Sequence, residues 1–335
     1  MIKDPFAIIP AAQREAGRSA IAASFGSVAV DAITLVMGGA SGAFVFRIDV
    51  GAKRYVLRIE GHPSPLRNPH QYSAMRIAAD VGLAPRIHHL DEQARIVVMD
   101  FVEDQRLESY PGGPQGLAQA MGAMLRQVQA LPTFPHFVDY PDIVARLWAH
   151  VCRTGLFADG VLDLATERLA QIREALLWKP DDAVASHNDV LPRNVLFDGE
   201  RLWLFDWETA YRNDPLVDVA TALDNFAQTP ELEEVLLQAW LGRSPDRSCR
   251  ERLAMIRALT RIYYAGVLFS ASALAQRPTP CTDFAAMSHA DFEQAIRDGR
   301  LKPETPPTSH ELGKIYLASF LSGQVPPGLP PLYMR

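Results

Sequence analysis

Apolar and polar positions divide the chain into an opening stretch of period-two alternation and a longer stretch of helical periodicity. An Ala-rich helix is predicted over 11–24, ended by Phe25 and Gly26. Strands follow at 33–37, 43–50 and 54–60, with Gly38, Gly39, Ala40, Ser41 and Gly42 between the first two and a turn at Gly51. A helix is expected over 66–82, opened behind Pro69 and stopped at Gly82, then strands at 86–90 and 94–102. Beyond them the period becomes helical. The first helix, 116–130, carries the stripe Leu117, Met121, Met124, Leu125, Val128, and others are read over 142–151, 162–178, 220–226, 231–241 and 250–276. Pro111, Gly112, Gly113 and Pro114 break regular structure near the expected boundary, which separates a β-rich domain over 1–102 from a helical one over 103–335. The tail from Leu301, Pro-rich around a helix at 309–321, is expected to wrap the surface.

The densest chemistry lies at 186–218. His187, Asp189 and Asn194 form an H-x-D-x4-N pattern, and the apolar run Leu202, Trp203, Leu204, Phe205 ends in Asp206. The segments 194–197 and 202–205 are separated by the turn Asp198, Gly199, Glu200, a hairpin signal that brings Asn194 beside Asp206. The spacing is that of the protein-kinase catalytic loop, with the metal-binding Asp in the same order. Phosphoryl transfer asks for a carboxylate at the attacking hydroxyl, oxygen ligands for magnesium and cations on the phosphates. Asp189 is the candidate base, Asn194 and Asp206 are the candidate Mg2+ ligands, and His187 is expected to order the loop.

This stretch resembles the catalytic core of the aminoglycoside phosphotransferase and choline kinase family, small-molecule kinases that write the loop as H-G-D or H-N-D, then N, then a strand ending in D-W or D-F. Here it reads H-N-D, N and D-W, and 213–218 is similar to the family's D-P-x-x-D-x-A segment, where Asp214 and Asp218 cap a helix and brace the loop. The resemblance covers 30–276. It implies an α+β, protein-kinase-like bilobal fold, with a small antiparallel β N-lobe and a larger helical C-lobe, that uses ATP and Mg2+ on a small-molecule hydroxyl. Gly38, Gly39 and Ser41 would cover the nucleotide, with Gly42 where the choline kinase branch has Asn. Arg58 would clamp phosphate, as Arg does bidentately. Met99 would guard the adenine pocket, and Asp100, Phe101 and Val102 would lie against the base. H-N-D and the V-L-R-I strand lean toward an amino alcohol such as choline, and an aminoglycoside or amino sugar is the alternative. Counting back from Pro85, the family's helix glutamate is replaced by Gln71, which keeps a third reading open, a nucleotide-binding pseudokinase or adaptor. Tyr263, Tyr264 and Phe269 are read as core, with a cation-binding aromatic set as the other reading. Without D-F-G and A-P-E there is little room for a protein kinase's activation loop.

Composition adds bounds. The 335 residues are 48% hydrophobic and 21% charged, ordinary for a globular enzyme. A net charge of −6 without a basic stripe speaks against nucleic acid, suits a cationic substrate and favours solubility. Cys152, Cys249 and Cys281 lie far apart, which fits a reducing compartment and indicates neither disulfides nor zinc. His88 and His89 are read as loop or surface. No stretch of signal length is found, and 263–275 is too short and too rich in Ala and Ser to span a bilayer, so no membrane partner is expected and the cytoplasm is the expected location. Oligomeric state is left open.

Overall fold

Alternation along two strands, β2 (Phe44–Val50) and β3 (Lys53–Ile59), puts Phe46, Ile48, Tyr55, Leu57 and Ile59 on one side of a sheet. The computed structural model describes residues 4–36, 43–61, 68–275 and 279–323. Within them an opening helix, α1 (Arg14–Phe25), lays Ala20 and Ile21 on that apolar side, joined by Ile9 and Ile33. Gly17 belongs to the contact, because a Cβ there would sit 3.1 Å from Ile9. The chain continues through β1 (Ala32–Leu35), β2, β3, α2 (Gln71–Asp80), β4 (Ile87–Asp91) and β5 (Ile96–Asp100). These make a five-stranded antiparallel sheet in the order β1-β2-β3-β5-β4. His88 and His89 lie on β4 and not in a loop.

Next come α3 (Gly113–Gln129), α4 (Tyr140–Arg153), α5 (Asp163–Ala175) and a short strand, β6 (Val184–Ser186). The expected hairpin forms from β7 (Val195–Phe197) and β8 (Leu202–Leu204), with Val195 opposite Leu204. After β9 (Tyr211–Asn213) the chain is helical: α6 (Pro215–Phe226), α7 (Pro230–Leu241), α8 (Arg247–Ala273), α9 (His289–Arg297) and α10 (Pro306–Ser322).

The chain divides into two compact units. One holds Met1–Tyr110 with Asn194–Tyr211, and the other holds Pro111–Arg193 with Arg212–Met334. The hairpin joins the sheet unit through its backbone: Leu204 N–H donates to Leu83 C=O at 2.9 Å and Gln105 N–H to Phe197 C=O at 2.7 Å. The side chain of Asn68 adds a bond to Ala210 C=O at 2.6 Å.

In the helical unit α8 is the central rod, with α10 and α4 packed along it. The sequence places α10 at the surface, and the structure corrects this. Leu312, Ile315, Leu317 and Phe320 are all buried, each worth roughly 1.5–3 kcal/mol of apolar transfer. The Pro-rich flanks hide a stripe that meets Phe269. At Gly313 a Cβ would stand 2.6 Å from that ring, so only glycine allows α10 this close.

Candidate functional site

The loop after β6 carries His187, Asn188 and Asp189. Asn188 has φ of 65°, the left-handed region that glycine and asparagine tolerate best. That is the physical reason H-G-D and H-N-D can exchange. Asp218, fully buried on α6, accepts N–H bonds from His187 at 2.8 Å and Asn188 at 2.7 Å. Burial holds its carboxyl above the usual carboxylate range, against the pull of His187 and the two amides. Asn213 donates to the Asn188 side chain at 2.7 Å. The asparagine of H-N-D is thus occupied in bracing the loop, and its weight as a substrate signal falls. Asp214 caps α6 through Leu216 N–H at 2.9 Å and pairs with Arg252.

Asp189 accepts a hydrogen bond from the Tyr264 hydroxyl at 3.0 Å and pairs with Arg193 at 3.0 Å. Burial first, and then the Asp189 charge, push the Tyr264 pKa up, so the phenol keeps its proton and donates. Tyr264 is not alone. Its ring lies 5.5 Å from Tyr263 and 5.7 Å from Tyr316, and Tyr140 lies 5.7 Å from Tyr263. Two helical glycines allow this cluster. Gly266 lets α4 approach α8, since a Cβ there would meet Leu147 at 2.9 Å, and Gly313 does the same for α10. Tyr263 and Tyr264 are half-buried and Tyr264 bonds Asp189, whereas Phe269 is fully buried against Phe157 and His310. The three aromatics read together from the sequence therefore split into two roles.

In the sheet unit, strand register decides which side chains share a face. Arg58 stands opposite Val97, and Val56 opposite Met99, so Arg58 and Met99 lie on the face away from α1. Asp100 pairs with Tyr55 on the other face, where its carboxylate meets His88 at 2.6 Å. The N–H groups of Asp100 and Phe101 donate to Arg86 C=O at 2.9 Å and Arg54 C=O at 3.2 Å. Val102, just past the strand, is half-buried. Gly38, Gly39 and Ser41 lie outside the described residues.

Asn194 and Asp206 flank the hairpin as expected. Phe205 N–H donates to Asn194 C=O at 2.8 Å. Asp206 has φ of 59°, a strained setting of the kind that collects at functional sites. Arg58, buried, meets Asp206 at 3.3 Å, Glu208 at 3.1 Å and Glu60 at 3.8 Å. Burial opposes its charge, but Asp206, Glu60 and Glu208 outweigh burial and raise its pKa, so the guanidinium stays charged.

Glu60, Glu208, Tyr140 and Tyr316 were not legible as site residues. Glu208 directly extends D-W, and Glu60 follows Arg58 by two residues at the end of β3, so both had a local signal. The tyrosines had only the helical glycines as pointers.

The family model described as phosphotransferase enzyme family matches residues 32–254, about two thirds of the chain. Protein LicA of Haemophilus influenzae is 36% identical over 58 residues, which is 17% of this chain and 22% of that protein, so the match spans under a quarter of the curated relative. Among solved structures, a choline/ethanolamine kinase family protein from Mesorhizobium loti is 23% identical, covers 92% of this chain and 98% of its own, and has a TM-score of 0.61. The choline kinase LicA of Streptococcus pneumoniae is 16% identical, with 92% and 99% covered and a TM-score of 0.65. The spectinomycin phosphotransferase APH(9)-Ia, solved with ADP and spectinomycin, is 13% identical, with 86% and 94% covered and a TM-score of 0.55. These likenesses establish the α+β kinase-like fold. With its family model covering most of the sheet, the loop after β6 and the hairpin, the chain belongs to the phosphotransferase enzyme family.

Proposed function

We propose that the chain transfers the terminal phosphoryl group of ATP to the hydroxyl of a small amino alcohol such as choline. The observation that carries this reading is the tyrosine cluster that Tyr264 joins to Asp189: Tyr264 holds the carboxylate, the rings of Tyr263 and Tyr316 lie 5.5 Å and 5.7 Å from its own, and Tyr140 packs on Tyr263. A substituted ammonium beside such rings gains about 0.5–2 kcal/mol by cation–π attraction. It would bring a hydroxyl two carbons away within reach of Asp189. The choline kinases among the structural neighbours support the same substrate class.

Asp189 accepts the hydroxyl proton as the oxygen attacks the γ-phosphorus and the bond to the β-phosphate oxygen breaks. His187 and Asn188, tied to Asp218, fix the carboxylate's direction. Arg58 offers its N–H groups to phosphate oxygens. Met99 lines the sheet face that Arg58 occupies, and the backbone of Asp100, Phe101 and Val102 borders the adenine.

The donor set fits magnesium. Asp206 Oδ1 is buried and accepts no hydrogen bond among the described residues, although Arg58 stands 3.3 Å away. Arg58 faces three carboxylates. Asn194 and Asp206 would hold Mg2+, and phosphate oxygens would complete its shell. Bound there, the ion would offset charge on the transferring phosphates.

An aminoglycoside or amino-sugar acceptor is the second reading, favoured by the likeness to the spectinomycin phosphotransferase. The test is ADP release with Mg-ATP across choline, ethanolamine, aminoglycosides, sugars and homoserine. Turnover on choline or ethanolamine, lost in Asp189→Asn with Mg-ATP binding retained, is the expected result. Turnover confined to aminoglycosides would replace the substrate, and undiminished turnover in the variant would remove the base.

A further inference from the structure

The family's helix glutamate is missing at Gln71, yet a carboxylate still meets the clamp arginine. It comes from the end of β3. Glu60 N–H bonds Arg95 C=O at 3.0 Å, which holds the strand extended one residue past Ile59. Strand alternation then puts Glu60 on the same face as Arg58, two residues back. The Glu60 side chain is 1% exposed, the Arg58 side chain 4%, and they meet at 3.8 Å. Gln71, the first residue of α2, donates from Nε2 to Glu60 Oε2 at 3.2 Å and is itself buried. The start of α2 is fixed in turn, since Asn68 Oδ1 accepts His70 N–H at 2.9 Å and Asn68 Nδ2 holds Ala210 C=O.

We infer that Glu60 is the positioning residue for Arg58, and that the ion pair other members make from the helix has moved to the strand, with Gln71 reduced to holding the carboxylate. A buried carboxylate is costly unless paired and hydrogen-bonded. Glu60 has both, from the clamp and from the helix position that would otherwise carry the charge. Gln71 is thus no sign of a dead kinase: the charge is kept and its carrier exchanged. The inference rests on the reading of Arg58 as the phosphate clamp.

The relocation makes a swap test possible. Glu60→Gln removes the carboxylate, and Glu60→Gln with Gln71→Glu returns it to the helix. The readout is the Kd of Mg-ATP by calorimetry on the full chain, with thermal unfolding as the check of folding. Loss of a charged hydrogen-bonded partner predicts that Glu60→Gln weakens Mg-ATP by about tenfold or more, and that the double variant recovers to within roughly threefold of wild type. A general loss of packing would not be repaired by moving the charge. If Glu60→Gln fails to fold, the double variant is compared with wild type directly. Equal or tighter binding by Glu60→Gln, or a folded double variant that still binds weakly, overturns the inference and leaves the kinase reading intact. A wild-type chain that binds no Mg-ATP sinks the nucleotide reading and this inference with it.

Discussion

Tyr264 is the residue on which the proposed base and the proposed substrate recognition meet. Its hydroxyl holds Asp189 and its ring belongs to the tyrosine cluster, so one substitution separates the two roles. Tyr264→Phe keeps the ring and loses the bond. It should lower kcat about tenfold, the worth of a hydrogen bond to a charged group, and leave the Mg-ATP Kd unchanged; a changed KM with constant kcat would assign Tyr264 to binding alone. Asp218 poses a different question, because burial and two amide donors pull its pKa in opposite directions. Burial wins, and the folded pKa stands above the unfolded one. The folded state then binds more protons than the unfolded state within that window. The contribution of Asp218 is full below the unfolded pKa and is lost as pH rises through the folded pKa. Relative to Asp218→Asn, which does not titrate, wild type should lose stability from acidic to neutral pH in urea unfolding. An advantage growing with pH would mean that the amides dominate. Asp218→Ala, which leaves both buried N–H groups unpaired, should cost about 1–3 kcal/mol for each.

Elements were read well wherever a periodic stripe had ordinary breakers, and poorly where packing overrode them. The five strands, the 194–206 hairpin and α8 all fall within a few residues of their expected positions. The miss over α10 has a physical origin: its Pro-rich neighbours look like surface chain, while its burial depends on one glycine meeting a ring far away in sequence. The short helix α9 was missed as well, since nine residues with two buried side chains carry little periodic signal. Gly313→Ala tests the α10 contact. Alanine gains up to about 1 kcal/mol in helix propensity, but its Cβ would collide with the fully buried Phe269, and overpacking of this kind costs about 1–3 kcal/mol. A lower denaturation midpoint and a raised KM for the amine acceptor, at unchanged Mg-ATP affinity, are expected, because α10 also carries Tyr316. A higher midpoint would show that the ring gives way freely.

Across the whole molecule, the residues legible in sequence are those whose chemistry is written in a local spacing. His187, Asp189, Asn194 and Asp206 follow one loop and one hairpin. The charge around Arg58 does not: Glu60 meets it from the end of its own strand and Asp206 and Glu208 from the segment after β8, and only the fold makes one arginine answer to three carboxylates. Among the described residues no helix is long and apolar enough to cross a membrane. A ligand at a hundred times its Kd stabilises the folded state by roughly 2.7 kcal/mol. Mg-ATP should therefore raise the unfolding temperature by several degrees, ATP with a chelator by much less, and Asp206→Asn should bring the two conditions together. The direction follows from charge: anionic phosphates approaching the Asp206 carboxylate are repelled unless a divalent ion arrives with them. Equal stabilisation with and without metal would show that Arg58 alone carries the phosphates and that Asp206 is no metal ligand.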